Sequence, residues 1–544
     1  MPWETTPVYG VGGGINVSSH PVAIETSQWS WGDGFIARNG VAEILPQWTQ
    51  INSGAWMPAN NVPIGIFQNP FDATNPALLL STNLTTHVIT LVKMTPAGVA
   101  TSIPWDSSGA TPLASATGIC MTAFLNNFLV IATGAVAGGT FSLIRTDGTN
   151  FHGINTVATG LSADYLVSFK SALVAGSVNR GGASLTQATQ RQFAWSDINT
   201  TDTWDAAISN AADSGFLDDL GSGITGMGFI SQDTLGLFTA GGIHALQSTG
   251  GIPLFTRFAI SALSIPPSQT AASGLVGSPA FFGAMPNGSV VKASDNVYLL
   301  QGGGAQQIGQ NIIRYVVSDE QVNGVANWCG PYLWHKRLGL LLCTRGGSSA
   351  TGQNKFLYYD PVTGAWSHRG TPGTELGGNA NKTPCRQAYI VDTVTVSSGI
   401  GLHWWVDQAS AAVYRETIGA TPAGGEYFDT KDFTFGDPPT FGTINLIRVE
   451  WECLTNHLND QIAVYAAVRD NFAPFILGSG GLDMQNLTFV FVGFLSQGGS
   501  ELPCHLVGKV VRFRFQQSSG LVRVRGFSFR WRTAGDRPVT STQA

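Results

Sequence analysis

Charge is scarce in this chain: only 11% of its 544 residues are Asp, Glu, Lys or Arg, against roughly 25% in an ordinary globular protein. The balance is −6 and no basic or acidic tail appears at either end, which argues against bulk electrostatic binding to nucleic acid or to an anionic membrane surface. Disorder is argued against as well, because an open segment needs net charge and low hydrophobicity. Here 30 Phe, 15 Trp and 11 Tyr need burial. No uninterrupted apolar run approaches the roughly 20 residues of a membrane-crossing helix, so no membrane insertion is expected. The start, Met1-Pro2-Trp3-Glu4-Thr5, lacks a basic stretch followed by an apolar one, so no secretory signal is expected.

Cysteine is sparse and scattered. Cys120, Cys329, Cys343, Cys385, Cys453 and Cys504 form no Cys-x-x-Cys, and no histidine is spaced to complete a zinc site. They read as reduced, mostly buried thiols, and neither metal nor cofactor is expected. Long Ala/Glu/Lys/Leu-rich stretches with helical periodicity are almost absent. What is abundant is glycine, 67 residues. With proline, serine, threonine and asparagine it punctuates the chain every 8–12 residues or so, and β-branched or aromatic runs lie between, the pattern of many short antiparallel strands. Ala77-Leu-Leu-Leu, Phe128-Leu-Val-Ile-Ala, Asn296-Val-Tyr-Leu-Leu and Lys355-Phe-Leu-Tyr-Tyr are examples. The expected fold class is all-β.

A unit recurs in which an apolar strand reaches a Gly or Asp turn and returns toward an aromatic residue. It is visible at Leu235–Gln247, Asn296–Gly304, Leu338–Arg345, Phe356–Trp366 and Leu402–Tyr414. Each unit is a hairpin too small to bury both faces, and radial stacking of such sheets is the logic of a β-propeller. The spacing predicts a 1–29 extension and a propeller of five to seven blades over 30–425. From Glu426 onward apolar and charged residues alternate, as in Ile444–Glu452, Val510–Phe515 and Leu521–Arg532. Period two puts one face in a core, so 426–544 is expected to form an additional C-terminal β-sandwich or barrel.

The arginines of that segment are its most pointed feature. Arg512 and Arg514 share one strand face, and in the next arm so do Arg523 and Arg525, followed by Arg530 and Arg532. Such a face suits inter-subunit carboxylates or phosphates; it is equally a solvated face, or one paired with Glu450 and Glu452. Its phenylalanines are expected on the core side, which leaves it without the exposed aromatics of a single-strand binder. Tyr359-Asp-Pro-Val-Thr-Gly-Ala-Trp366 resembles the hairpin of kelch repeats, and its Asp-Pro, Gly364 and Trp366 suit a structural turn. Asp218-Asp219 is the one adjacent acid pair in the central region and reads as a turn. No catalytic, cofactor-binding or metal residue is assigned, and the chain is read as non-enzymatic.

Phe193-Ala-Trp-Ser-Asp-Ile-Asn-Thr-Thr-Asp-Thr-Trp204, Leu235–Phe255 with its Gly-Gly-Ile hairpin, and Asn296–Gly304 resemble the propeller of short-tailed bacteriophage tail hub or nozzle proteins, the packaged-DNA stabilisation family. The resemblance covers about residues 190–420. It implies a structural virion protein in the tail, assembled in the host bacterial cytoplasm as a homo-oligomer, usually a hexameric ring. That ring would retain packaged DNA and conduct it during ejection with only transient, non-specific contact. Implied partners are tail adaptor and portal-proximal proteins above and tail fibre or needle proteins nearby. Two rivals stand beside it: a receptor-binding or glycan-binding tail propeller whose Trp195, Trp204, Trp404 and Trp405 stack on sugars, and a glycan depolymerase using Asp218 and Asp219.

Overall fold

Short two-residue turns set much of the strand pairing. Asn39-Gly40, Asn126-Asn127 and Lys170-Ser171 all have positive φ at both positions, the requirement of the tight hairpin turn whose twist matches the strands it joins. Asparagine and glycine adopt that region at little cost; Lys170 and Ser171 do so because eight register pairs of the hairpin Leu161–Phe169/Ala172–Arg180 hold them there.

The computed structural model describes the chain apart from residues 1, 18, 20, 46, 110–112, 115–120, 134–142, 155–160, 181–190, 218–222, 266–268, 271–275, 279–281, 286–287, 294, 303, 315–327, 335–336, 345–354, 371–388, 391–402, 408–409, 418–424, 436–439, 454–459, 471–475, 479–480, 484–486, 497 and 534–544. The described residues are all-β, in 45 strands. Seven sheets follow one another as blades, antiparallel except in the second, where a fifth strand on the outer edge, Trp105–Gly109, pairs in parallel with Phe151–Gly153. Their first strands are Asn61–Gln68, Met121–Leu125, Leu161–Phe169, Ile224–Ser231, Phe282–Met285, Trp328–Trp334 and Tyr389–Ile390. Blades 2 to 7 pack in succession through these first strands. Blades 1 and 2 share a core in which Ile64, Phe67 and Leu80 meet Leu129, Ile131 and Phe151. The strand Asn61–Gln68 of blade 1 also packs on blade 7, so the ring closes: the fold is a β-propeller.

Closure is built from both ends of the propeller segment. The fourth strand of blade 7 is Gln47–Asn52, which pairs with Val413–Thr417 from the far end. An edge is covered and the ring is latched by hydrogen bonds rather than by packing alone.

Beside the blades and two small hairpins, Gln269–Thr270 with Val276–Ser278 and Ile476–Gly478 with Gly481–Asp483, stand two six-stranded sheets. Sheet I holds Glu4–Tyr9, Phe35–Arg38, Val41–Ile44, Val522–Thr533, Gly442–Cys453 and Glu501–Gly508; sheet II holds Trp29–Asp33, Tyr427–Thr430, Phe433–Thr434, Val510–Ser519, Gln461–Arg469 and Val490–Ser496. Phe513, Phe515, Phe527 and Phe529 meet between them with Phe433, as the alternating pattern requires. The sequence-derived boundaries differ from these pairings. Trp29–Asp33 pairs with Tyr427–Thr430 and Val41–Ile44 with Val522–Thr533, so residues 30–44 belong with the sandwich strands and the propeller begins at Gln47. Pairing across nearly 500 residues leaves no local trace, which is why the alternation after residue 426 was visible and its N-terminal partners were not.

The sandwich and blades 5 and 6 share one core, in which Val297, Leu299, Ile308, Tyr359 and Trp366 join Val8, Trp29 and Phe428. The backbone stitches the junction: Ile15 N–H donates to the Trp366 carbonyl at 2.8 Å, Val17 N–H to Asn311 at 2.8 Å and Gly34 N–H to His368 at 3.0 Å. Gly14 lies against this seam, where a Cβ would come within 2.5 Å of the Trp366 carbonyl oxygen. Of the recurring units read in the sequence, Leu338–Arg345 and Phe356–Trp366 fall in one blade, the sixth.

Candidate functional site

Arginine on a sheet face is either an exposed patch or a set of internal ties, and carboxylate placement decides which. Arg512 and Arg514 are 4% and 8% exposed. Asp429, in the strand Tyr427–Thr430, stands opposite Arg514 in the register, and Asp432 lies in the link from that strand to Phe433–Thr434, which pairs farther along the same strand, Val510–Ser519. Arg514 donates to both carboxylate oxygens of Asp429, at 2.7 and 2.9 Å, and its guanidinium stacks on the Tyr427 and Phe489 rings at 4.0 and 4.1 Å. Burial opposes the charge on Arg514, yet the facing Asp429 more than offsets it and raises the pKa. Arg512 and Arg469 converge on Asp432 Oδ1 at 2.7 and 2.6 Å. Paired charges of this kind are tolerated in an interior because each is met by its opposite with good geometry.

The other four arginines of the expected contact lie on sheet I. Arg523 is half-buried between Glu43, at 2.9 Å, and Glu452, at 2.6 Å. Exposed Arg525 donates to the second oxygen of Glu452 at 2.8 Å. Arg530 reaches Asn445 at 3.0 Å, and Arg530 and Arg532 flank the Trp3 ring at 5.5 and 4.7 Å. The six residues therefore do not form one surface. Arg512 and Arg514 are withdrawn from any inter-subunit contact, while Arg525, Arg530 and Arg532 stay on the outer face. Of the expected intrachain acids, Glu452 takes part and Glu450 does not.

Sequence reasoning missed Asp429, Asp432, Glu43 and Trp3. Tyr427-Phe-Asp-Thr-Lys-Asp432 was the available signal: two acids in a segment otherwise suited to a strand, facing a strand with two arginines.

A second charged cluster sits where blade 6 meets the closing blade. Arg369 donates to Glu416 at 3.0 Å, both buried; the guanidinium lies 4.2 Å over the Trp48 ring, and the other Glu416 oxygen accepts the His403 backbone N–H at 2.9 Å. The His403 ring is boxed by Trp48 and Phe356, and neither of its nitrogens has a hydrogen-bond partner among the described residues. Burial, with the nearby Arg369 charge adding to it, pushes the imidazole well below its ordinary range, so it is neutral at pH 7.

Trp195, Trp204, Trp404 and Trp405 are all buried. Trp195 donates to the Ala211 carbonyl and Trp204 to that of Thr201, so none offers a ring to a sugar. The kelch-like hairpin is a structural turn: Asp360 accepts from Val362 N–H and Thr363 Oγ1, Gly364 has φ +71°, and buried Trp366 donates to Ile308 in blade 5, the preceding blade. Asp218, Asp219, Cys120 and Cys385 lie outside the described residues, as do the side chains of Cys329 and Cys343. Burial pushes the free thiols Cys453 and Cys504 up to about 11, Asp460 adding to the shift at Cys453, so neither is a thiolate at neutral pH.

No family model matches the chain, and no curated protein matches it. Among solved structures it is similar to a streptogramin B lyase, with a TM-score of 0.40 and 8% identity over 68% of this chain and 96% of the other. YCF48 bound to D1 peptide gives 0.35 and 8% over 69% and 99%. Regucalcin, a calcium-binding protein from Agrobacterium tumefaciens, gives 0.30 and 9% over 69% and 94%. These neighbours include enzymes and non-enzymes. What they have in common with this chain is the β-propeller, the architecture its own strand pairings draw.

Proposed function

We propose that this chain is a structural virion protein, a subunit of the tail nozzle ring of a short-tailed bacteriophage, which retains packaged DNA and conducts it during ejection. The reading rests first on the resemblance carried by Phe193–Trp204, Leu235–Phe255 and Asn296–Gly304. The structural observation that carries it is a pair of strand edges on one body that no other strand among the described residues covers. Phe255–Ser261, outermost in blade 4, exposes Phe258 and Ile260; Val490–Ser496, at the edge of sheet II, exposes Val490, Phe491 and Phe494. The first strand carries one charge, Arg257, and the second none, whereas exposed strand edges are normally blunted by several charges or by proline. A rotationally symmetric ring above two-fold uses two different surfaces of the same chain, and two such edges supply them.

The work is mechanical: a conduit with a constriction that opens on host contact. A chain short of charge suits burial of its flanks in a ring, and a mildly acidic one lets DNA slide without sticking. Electron cryomicroscopy of the particle that carries this chain tests the reading. A six-fold ring coaxial with the tail tube is expected. A trimer, or a peripheral position, overturns it in favour of a receptor-binding protein.

A further inference from the structure

The outer face of sheet I is not flat. In the register, Gly526 and Ser528 of the central strand Val522–Thr533 stand between Tyr9 and Pro7 on one side and Glu450 and Arg448 on the other. Small residues on the midline and large ones on both flanks leave a trough of about 690 Å³. A second hollow of about 140 Å³ continues it past Thr5, Arg448 and Ser528 to Arg530. A bulge keeps the middle open. Glu450 faces Gly526 and Trp451 faces Val524, so Arg525 is the extra residue, and its guanidinium is held by Glu452 at 2.8 Å. Bulges re-aim side chains in this way beside binding sites.

We propose that this trough binds an uncharged oligosaccharide. Trp3, 38% exposed, lies past the smaller hollow with the guanidiniums of Arg530 and Arg532 against its ring, so the open aromatic platform is Tyr9, which is 78% exposed and lines the larger hollow. The C–H face of a pyranose packs on such a ring, apolar surface against apolar surface with the polarised hydrogens toward the π face. From Trp3 to Tyr9 the strand runs about 20 Å at 3.3 Å per residue, a span for several sugar units rather than one. Between the rings the walls carry hydrogen-bonding groups of both kinds. Arg448 and Glu501 are paired at 2.7 Å and largely exposed, and exposed Glu450 has no ion-pair partner among the described residues. A sugar hydroxyl donates to the carboxylates and accepts from the guanidinium at once. Across the two hollows Glu450 and Glu501 balance Arg448 and Arg530, so the lining carries no net charge to draw a phosphate or a polyanion, and the charged walls disfavour an apolar peptide.

The inference is independent of the nozzle reading, since a ring without glycan binding, or glycan binding without a ring, separates the two. The purified full chain is applied to an array of immobilised neutral hexasaccharides of glucose, galactose, mannose and N-acetylglucosamine, with sulfated and phosphorylated glycans beside them. Retention on at least one neutral class is expected. Calorimetry with that hexasaccharide should show Tyr9→Ala weakening binding about tenfold or more, close to 1.4 kcal/mol, with Glu450→Gln also weaker and Tyr9→Phe near wild type. Tyr9 is too exposed for its loss to unfold the sheet, and matching urea unfolding curves verify that. No retention on any neutral glycan, retention on the anionic ones alone, or unchanged binding by Tyr9→Ala each overturns the assignment.

Discussion

At the scale of single residues, the buried ions behave as ties. Asp429→Ala removes both acceptors of the Arg514 guanidinium and leaves a cation in a site closed by Tyr427 and Phe489. Loss of one partner of a buried pair costs about 3–5 kcal/mol, and urea unfolding should register a loss of that size. Asp429→Leu combined with Arg514→Met should recover most of it, because replacing both charges removes the desolvation penalty together with the attraction. A single variant within about 1 kcal/mol of wild type would mean that water reaches the guanidinium. Charge reversal at Arg512 and Arg514 belongs to the same class, and its expected outcome is a chain that does not fold. His403 supplies a pH dependence. Its folded pKa is depressed, so the unfolded chain, with an ordinary value near 6.5, binds the proton more readily. The stability that neutral His403 allows is therefore full above about pH 6.5 and is lost as the pH falls toward the folded value. Midpoints of urea unfolding between pH 8 and 5 should drop more steeply for the wild type than for His403→Phe, which keeps an aromatic ring between Trp48 and Phe356. Parallel curves would relieve His403 of that role.

At the scale of elements, most of what is legible in the sequence is local. Alternation marks Ile444–Glu452 and Val510–Phe515 as strands, and the all-β class follows from glycine spacing and aromatic content. The phenylalanine side of the arginine strands was equally readable, because period two is a property of the strand itself. Which strand lies beside which was not. Arg512 and Arg514 look identical to Arg530 and Arg532 in a one-dimensional pattern; they differ because Asp429 and Asp432 face the first pair from the neighbouring segment, whereas Arg530 and Arg532 stay exposed beside Asn445 and Trp3. The trough was hidden for the same reason, since it needs Glu4–Tyr9 to lie beside Val522–Thr533. A test follows from the mixed parentage of the two sheets. A fragment spanning residues 426–533 lacks Trp29–Asp33, Phe35–Arg38 and Val41–Ile44, leaving Phe428 without Trp29 and Phe35, its ring partners at 5.0 and 5.3 Å. It should give the poorly dispersed, low-protection amide spectrum of an unfolded chain, and adding residues 2–45 in trans should restore dispersion. A fragment that folds alone would show that the N-terminal strands are trimming rather than framework.

At the scale of the whole molecule, the chain path couples its two parts. It begins in the sandwich, leaves it at Leu45, closes the propeller as Gln47–Asn52 and returns to the sandwich at Tyr427. Neither part has a core of its own at the junction: Trp366 is fully buried among residues of blades 5 and 6 and the N-terminal segment, and donates to the Ile308 carbonyl at 2.7 Å. Domains joined by a linker commonly unfold in separate steps, and their interfaces tend to be polar and modest in area. Here the junction is apolar and crossed by backbone hydrogen bonds, so separating the parts exposes core. The expected behaviour is one urea transition, with the midpoint from tryptophan fluorescence coinciding with that from far-ultraviolet circular dichroism. Trp366→Ala, a large-to-small change in a closed core, should cost about 3–5 kcal/mol and move both probes together. If the variant instead splits the curve into two transitions, the sandwich and the propeller are separable units held by that side chain alone. If the wild type already shows two, the shared core contributes little to cooperativity, and a body able to flex at this junction would be a poor wall for a conduit.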